Sequence, residues 1–343
     1  MPPPDIATGA PDAPGGWGVP GADLPGEGPG APVPIVGTPV PGPATATGTD
    51  EDILTGAYRA MQSAHPSPPG GVLLAQTVAI GPLRQTFLPL IPLRPGWEVL
   101  DLGTGFGPVA FELAHREPVR VTGVDRDPEV LAVTRGLTGP LGQWLQPGSS
   151  VELAEASADD LPFGGGTFDL AIAALLLQHV PDPAAVVAEM RRVLRPGGVV
   201  FAFDIDDGLG ATYPDGGPLV RLEGAFDAWQ ASYGGDRLIG RKLSVLFADA
   251  GFTVLRLHVL PQAQHLETRA GSELRIMTAA RLRAARSGIL GAGLLDGATF
   301  DALLAEYEAG PSHTMCRIEG RVAIVAAAPA ATGAAGAEGP RGR

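Results

Sequence analysis

The segment 97–116, WEVLDLGTGFGPVAFELAHR, limits the fold more than any other stretch of this chain. An apolar run of strand length enters a turn with three glycines, D-L-G-T-G-F-G at 101–107, and leaves it as a helix over 108–116. A strand that passes straight into a helix must pack that helix back over its own sheet, which is the crossover unit of parallel α/β proteins. Gly103 and Gly105 leave the backbone bare, so a ligand can approach the turn without meeting a side chain. The free N–H groups at the start of the helix suit a negatively charged group.

The same alternation continues. VRVTGVD (119–125) reads as a strand, and Asp127-Pro128 as the N-cap and first residue of the next helix. Strands follow near 151–155, at 167–176 and at 199–206, with a helix at 182–194 that stops at RPGG (195–198). After Asp206 the pattern weakens to helices at 218–232 and 238–250, a strand at 252–260, two helices within 271–308 and a strand at 317–327. Upstream, helices are expected from Asp52 and over about 71–90. The expected organisation is a Pro/Gly-rich disordered tail (1–50), an N-terminal helical lid (51–96), a nucleotide-binding core (97–206), substrate-side helices with the last two strands (207–328) and a second disordered tail (329–343). Segments such as the two tails lack the apolar surface to offset the entropy of ordering.

The residues around the turn narrow the ligand. Asp101, directly before the glycines, disfavours a pyrophosphate but suits the ammonium of an amino acid. Asp125, about 20 residues on at the end of the second strand, can accept bonds from both hydroxyls of a ribose. Its competing role is to cap the helix that follows, and Asp127 is better placed for that.

Four strings in register, VLDLGTGFG, GVDRDPEVL, ADDLPFGGGTFDLAI and LLQHVPDPAAVVAEMRRVLRPGG, resemble the class I S-adenosylmethionine-dependent methyltransferases, in particular the small-molecule group typified by the ubiquinone and menaquinone enzymes. The resemblance runs from about Trp97 to Asp206. It implies a doubly wound, Rossmann-like seven-stranded sheet with its last strand antiparallel, flanked by N-terminal helices and a helical substrate insertion. It also implies S-adenosylmethionine as cofactor, its methionine end held by Asp101, Gly103, Thr104 and Gly105. Asp125 then takes the ribose, with Arg126 against the adenine. Ser157, Ala158 and Asp159 surround the base, Ser157 standing where the family has an aspartate.

For the methyl acceptor, His179 after the fourth strand is the candidate base, its competing role being to orient the loop. Arg84 is a candidate for the methionine carboxylate, and Asp204, Asp206 and Asp207 for a substrate hydroxyl or amine. Phe226, Trp229, Tyr233 and Tyr307 are available to line an apolar acceptor pocket. A net charge of −13 disfavours nucleic acid as a partner. No His or Cys spacing suggests a metal, and no run is apolar enough for a membrane span. The single cysteine, Cys316, excludes an internal disulfide, and with no secretory signal a cytoplasmic setting is expected. The expected function is methyl transfer to a small, quinone- or secondary-metabolite-like acceptor. The alternatives are a non-catalytic cofactor- or protein-binding member of the same fold and a nicotinamide-dependent oxidoreductase; self-association is not addressed by the sequence.

Overall fold

The computed structural model describes residues 50–64, 70–214, 217–268, 273–310 and 313–330. The tails expected over 1–50 and 329–343 therefore lie almost wholly outside the described residues. Three helices come first: α1 (Asp50–Ala64), α2 (Gly70–Ala79) and α3 (Gly81–Phe87). The alternating core follows as β1 (Glu98–Leu102), α4 (Pro108–Arg116), β2 (Arg120–Asp125), α5 (Pro128–Gly142), β3 (Ser150–Glu155), β4 (Phe168–Ala174), α6 (Pro183–Val193) and β5 (Leu194–Ile205). The last third holds β6 (Ala211–Tyr213), α7 (Pro218–Ser232), α8 (Leu243–Asp249), β7 (Thr253–Thr268), α9 (Glu273–Gly291), α10 (Gly297–Ala309) and β8 (His313–Ala327).

Local chemistry sets the boundaries. Asp127 caps α5 by accepting from the amides of Glu129 and Val130 at 2.9 and 3.2 Å, and Pro128 occupies the first helical position. Asp182 and Pro183 repeat the arrangement at α6. The helical stretch expected over 71–90 is divided at Ile80, because Gly81-Pro82 opens a new helix. RPGG, expected as a separate stop and turn, instead lies inside β5, where the register against β4 shifts and Gly197 takes a positive φ of 77°. The four residues form an irregularity in the strand rather than a break before it.

The sheet order is β3-β2-β1-β4-β5-β8, with the first five strands parallel and β8 antiparallel to β5. β7 pairs antiparallel with the other edge of β8. This is the doubly wound sheet with an antiparallel final strand. One element was not expected: the three-residue β6 adds a rung beside β8, placing Thr212 opposite Arg317. β7 and β8 also run longer than the strands expected at 252–260 and 317–327.

Alternate residues of the buried strands feed two cores, as the two-residue strand period requires. Leu100, Leu102, Val200 and Ala202 meet Met190 of α6 and Phe247 of α8 on one face. Val99, Phe201 and Phe203 meet Phe87 of α3 and Leu113 of α4 on the other. Phe87 lies 4.3 Å, centroid to centroid, from Phe203. Helices α7, α9 and α10 bury their own cluster, including Leu222, Leu282, Ile289 and Phe300.

Because β2 lies on one side of β1 and β4 on the other, the chain reverses direction of travel between β1 and β4. A crevice opens at the carboxyl ends of strands at such a point. The glycine turn after β1 and the segment 175–179 after β4 form its walls.

Candidate functional site

Two neighbouring cavities occupy this crevice. The first, about 280 Å³, is bounded by Asp125, Arg126, Ser157, Ala158 and Asp159 on its polar side and by Val124, Leu176, Val180 and Val186 on its apolar side. The second, about 370 Å³, is lined at its near end by Asp101, Gly103, Thr104, Gly105 and Arg84. Gly103 and His179 border both. The ten residues expected from sequence to form a site thus converge on one continuous crevice, although they come from four separate loops.

The glycine turn is built for close approach. Gly105 has φ of +53°, a region in which side chains are disfavoured, and a Cβ placed there would meet no protein atom within 4 Å. That open space is what a bound molecule would fill. Gly103, with φ of +67°, has no such room, since a Cβ would come within 2.8 Å of the Leu176 side chain. The turn is held from both sides. Asp125 accepts from the Gly105 amide at 2.9 Å and from the Asp127 amide at 3.1 Å, while the Tyr58 hydroxyl of α1 donates to the Phe106 carbonyl at 3.0 Å. Thr104 donates its hydroxyl to Asp101 at 2.7 Å.

Burial shifts several of these groups. The Asp101 carboxyl is pushed up to about 7 by desolvation, with the neighbouring Asp125 adding to the shift and the Thr104 bond opposing it. His179 is pushed down to about 4 by burial and then by the nearby Arg237 and Arg126. Its Nδ1 lies 2.9 Å from Gln230 Nε2, and Gln230 Oε1 accepts from Arg237 Nη1 at 3.4 Å. That second bond orients the amide so that its NH₂ faces the imidazole. Nδ1 is then the acceptor, and the neutral ring carries its proton on Nε2.

Two of the acids expected near the acceptor serve the scaffold instead. Asp204 is fully buried and accepts from the amides of Gln178 at 3.2 Å and Ile205 at 2.9 Å, so it anchors the turn that carries His179. Asp206 accepts from the Arg241 amide, Nε and Nη2 at 3.0, 2.8 and 2.6 Å. Asp207 borders a third cavity of about 450 Å³, contiguous with the second. Of the aromatic residues expected to line the acceptor side, Phe226 does so. Trp229 packs edge-on to Phe226 and Tyr233, and Tyr307 belongs to the core between α7, α9 and α10. The far end of the second cavity is instead formed by Arg237, Arg281, Arg317, Arg321 and Glu319. Arg317, Glu319 and Arg321 alternate along β8 and so share one face, a period-two charge pattern visible in CRIEGR (316–321). Among the described residues no group of His, Cys, Asp or Glu is placed to hold a metal ion, and no helix is long and apolar enough to cross a membrane.

Residues 100–202 match the family model described as a methyltransferase domain. An uncharacterized methyltransferase of Synechocystis sp., sll0829, is 33% identical over 180 residues, which cover 50% of this chain and 75% of that protein. The chain belongs to the class I S-adenosylmethionine-dependent methyltransferases. The ubiquinone biosynthesis O-methyltransferase of Pseudomonas aeruginosa is 37% identical over 131 residues, 37% of this chain and 52% of that enzyme. An uncharacterized 37.1 kDa protein of a Streptomyces fradiae transposon is 36% identical over 185 residues, 53% of this chain and 50% of that one. The chain thus spans about half the length of these last two relatives. Among solved structures, a candidate methyltransferase from Bacillus halodurans, BH2331, superposes with a TM-score of 0.50 at 20% identity, covering 71% of this chain and 98% of that one, which is a likeness of fold. In this methyltransferase the matched segment contains the whole glycine turn, Asp125 and the 157–159 wall.

Proposed function

We propose that the protein is an enzyme that transfers a methyl group from S-adenosylmethionine to a small-molecule acceptor. The observation that carries this reading is the bare glycine turn where two cavities of complementary chemistry meet, Gly103 bordering both and Gly105 the larger. The smaller cavity, apolar on one side and bounded by Asp125 on the other, suits a flat base and a ribose. Ser157 and Asp159 bond each other at its rim, and Ala158 lines the same wall. Asp101 and Arg84, at the near end of the larger cavity, suit the ammonium and carboxylate of the methionine end. When bound, S-adenosylmethionine supplies a methyl group already activated by its sulfonium.

The remaining work of the protein is positioning. His179 stands at the junction of the two cavities, where the sulfur and the acceptor meet. As a neutral imidazole with its proton on Nε2 it donates a hydrogen bond, and we assign it to orienting the acceptor. The residues Ile80, Phe87, Val109 and Phe226 give the larger cavity an apolar wall. Helices α2 and α3 supply part of this wall, consistent with a lid. The name of the Pseudomonas relative, an O-methyltransferase, supports an oxygen as one acceptor type, and an apolar ring fits the wall just described. Exposed Cys316 as the lone thiol is in keeping with a cytoplasmic setting. Equilibrium binding tests the reading: purified protein takes up S-adenosylhomocysteine saturably and ignores NADH, whereas binding of NADH alone would overturn it.

A further inference from the structure

The far end of the larger cavity carries a charge that its chain as a whole does not. In a protein of net charge −13, this cavity is lined by Arg84, Arg237, Arg281, Arg317 and Arg321 with Asp101 and Glu319, while Arg237 is matched by Asp207 and Asp227 at 2.5 and 2.9 Å just beyond it. Three of these arginines form a ladder with two glutamates. Arg281 Nη2 lies 3.1 Å from Glu223 Oε1, and Arg317 Nη1 lies 3.4 Å from the same oxygen. Arg317 Nε lies 3.1 Å from Glu319 Oε1, and Arg321 Nη2 lies 2.8 Å from Glu319 Oε2. Each glutamate is shared, so the ladder keeps a surplus cation.

That surplus sits at Arg321. Its side chain is only 11% exposed, yet Nε and Nη1 are buried with no hydrogen-bond partner in the protein. A guanidinium cannot shed its charge, so holding one here, on the wall of the cavity, favours an anion beside it. The sheet holds it in place, because Arg321 is paired through its backbone with Ile205 on one side and Leu260 on the other. Glu319 does not neutralise by protonation: Arg321 and Arg317 hold its carboxyl below the ordinary glutamate value despite burial. Between this charged end and the glycine turn, the wall is apolar at Phe226, Phe87 and Ile80.

We propose that the methyl acceptor carries an oxyanion, a carboxylate or a phosphate, which docks on Arg321 and Arg317 while its apolar body lies against Phe226 and presents the methylated atom near His179. The proposal rests on the methyl-transfer reading above and deepens it. The arginine ladder then sets acceptor orientation, in-line with the donor, and selects acidic small molecules over neutral ones.

Calorimetric titration of the protein, with and without saturating S-adenosylhomocysteine, tests this with three probes: inorganic phosphate, 4-hydroxybenzoate and its neutral analogue 4-hydroxybenzamide. The expected result is saturable binding of an anionic probe at least about tenfold tighter than the amide. Arg321→Gln lowers that affinity about tenfold or more, Arg321→Lys restores part of it, and both variants bind S-adenosylhomocysteine as the parent does. Should the arginine variant not fold, the anion-against-amide comparison on the parent decides the matter alone. Cofactor binding with no preference for either anion over the amide overturns the anionic acceptor and leaves the donor site standing. Failure to bind S-adenosylhomocysteine at all overturns the methyl-transfer reading, and the acceptor assignment falls with it.

Discussion

Asp125 accepts a hydrogen bond from the backbone amide of Gly105 at 2.9 Å, tying the end of one parallel strand to the glycine turn that follows its neighbour. One carboxylate therefore shapes the turn and faces the cavity proposed for the ribose. Replacing it removes both functions. Asp125→Ala is expected to weaken S-adenosylhomocysteine binding about 10- to 100-fold, the loss of a charged hydrogen bond of about 1.5–3 kcal/mol. Calorimetric titration of parent and variant measures this directly.

Gly105 gives a second prediction. Its φ of +53° disfavours any side chain, and the space above it is open to the crevice. Gly105→Ala should cost about 1–2 kcal/mol of folding stability through the left-handed conformation alone. Cofactor affinity should fall further than stability does, because the new methyl group stands where the ligand would lie. Denaturant unfolding and ligand titration on the same preparation separate the two effects.

Asp101 makes donor binding depend on pH. Its carboxyl is raised to about 7 by burial, so below that value it is mostly protonated and offers no charge to an ammonium. Affinity for S-adenosylhomocysteine should therefore rise with pH toward 7 and level off above it, by up to roughly tenfold per unit on the acidic side. Asp101→Asn should bind weakly and without that slope. Titrations between pH 5.5 and 8 check both statements.

His179 and Asp204 are linked through the same turn and respond to pH in opposite senses. His179 is lowered in the folded protein to about 4, so the unfolded chain binds its proton more readily. Stability is full above the unfolded value near 6.5 and is lost as pH falls from there toward 4. Asp204 is raised to about 7 by burial, which the amides of Ile205 and Gln178 only partly oppose. The folded protein holds that proton more tightly, so stability from this group is present at low pH and is lost as pH rises from about 4 to 7. His179→Gln should flatten the acid side of the stability profile, and Asp204→Asn should remove the loss of stability that this group causes as pH rises from about 4 to 7. Proton NMR of the His179 ring should show no titration above about pH 5.

The parts of the site written in short continuous strings were legible before the structure. Asp101, Gly103, Gly105 and Asp125 sit at the carboxyl ends of strands, where local pattern marks them, and the 157–159 wall followed from the family resemblance. The parts that depend on distant partners were not. Asp204 and Asp206 read as candidates for a substrate hydroxyl or amine, because their actual partners, the amide of Gln178 and the guanidinium of Arg241, lie 26 and 35 residues away. The tautomer of His179 depends on Gln230, 51 residues away, and its neutral state on burial and on Arg237 and Arg126. The arginine end of the larger cavity draws on 237, 281, 317 and 321, and only the alternation in CRIEGR marked a charged face on an otherwise buried strand. Trp229 and Tyr307 pack into the core of helices α7, α9 and α10, and Tyr233 lies against Trp229 with about half its surface exposed.

A crystal structure of the protein grown with saturating S-adenosylhomocysteine tests the central claim most directly. Density for adenine between Val124 and the 157–159 wall, with the ribose hydroxyls on Asp125 and the sulfur beside Gly103 and His179, is the result expected. Well-ordered crystals whose crevice holds no such density at saturating ligand, or density placed outside it, would contradict the assignment of this crevice to the methyl donor.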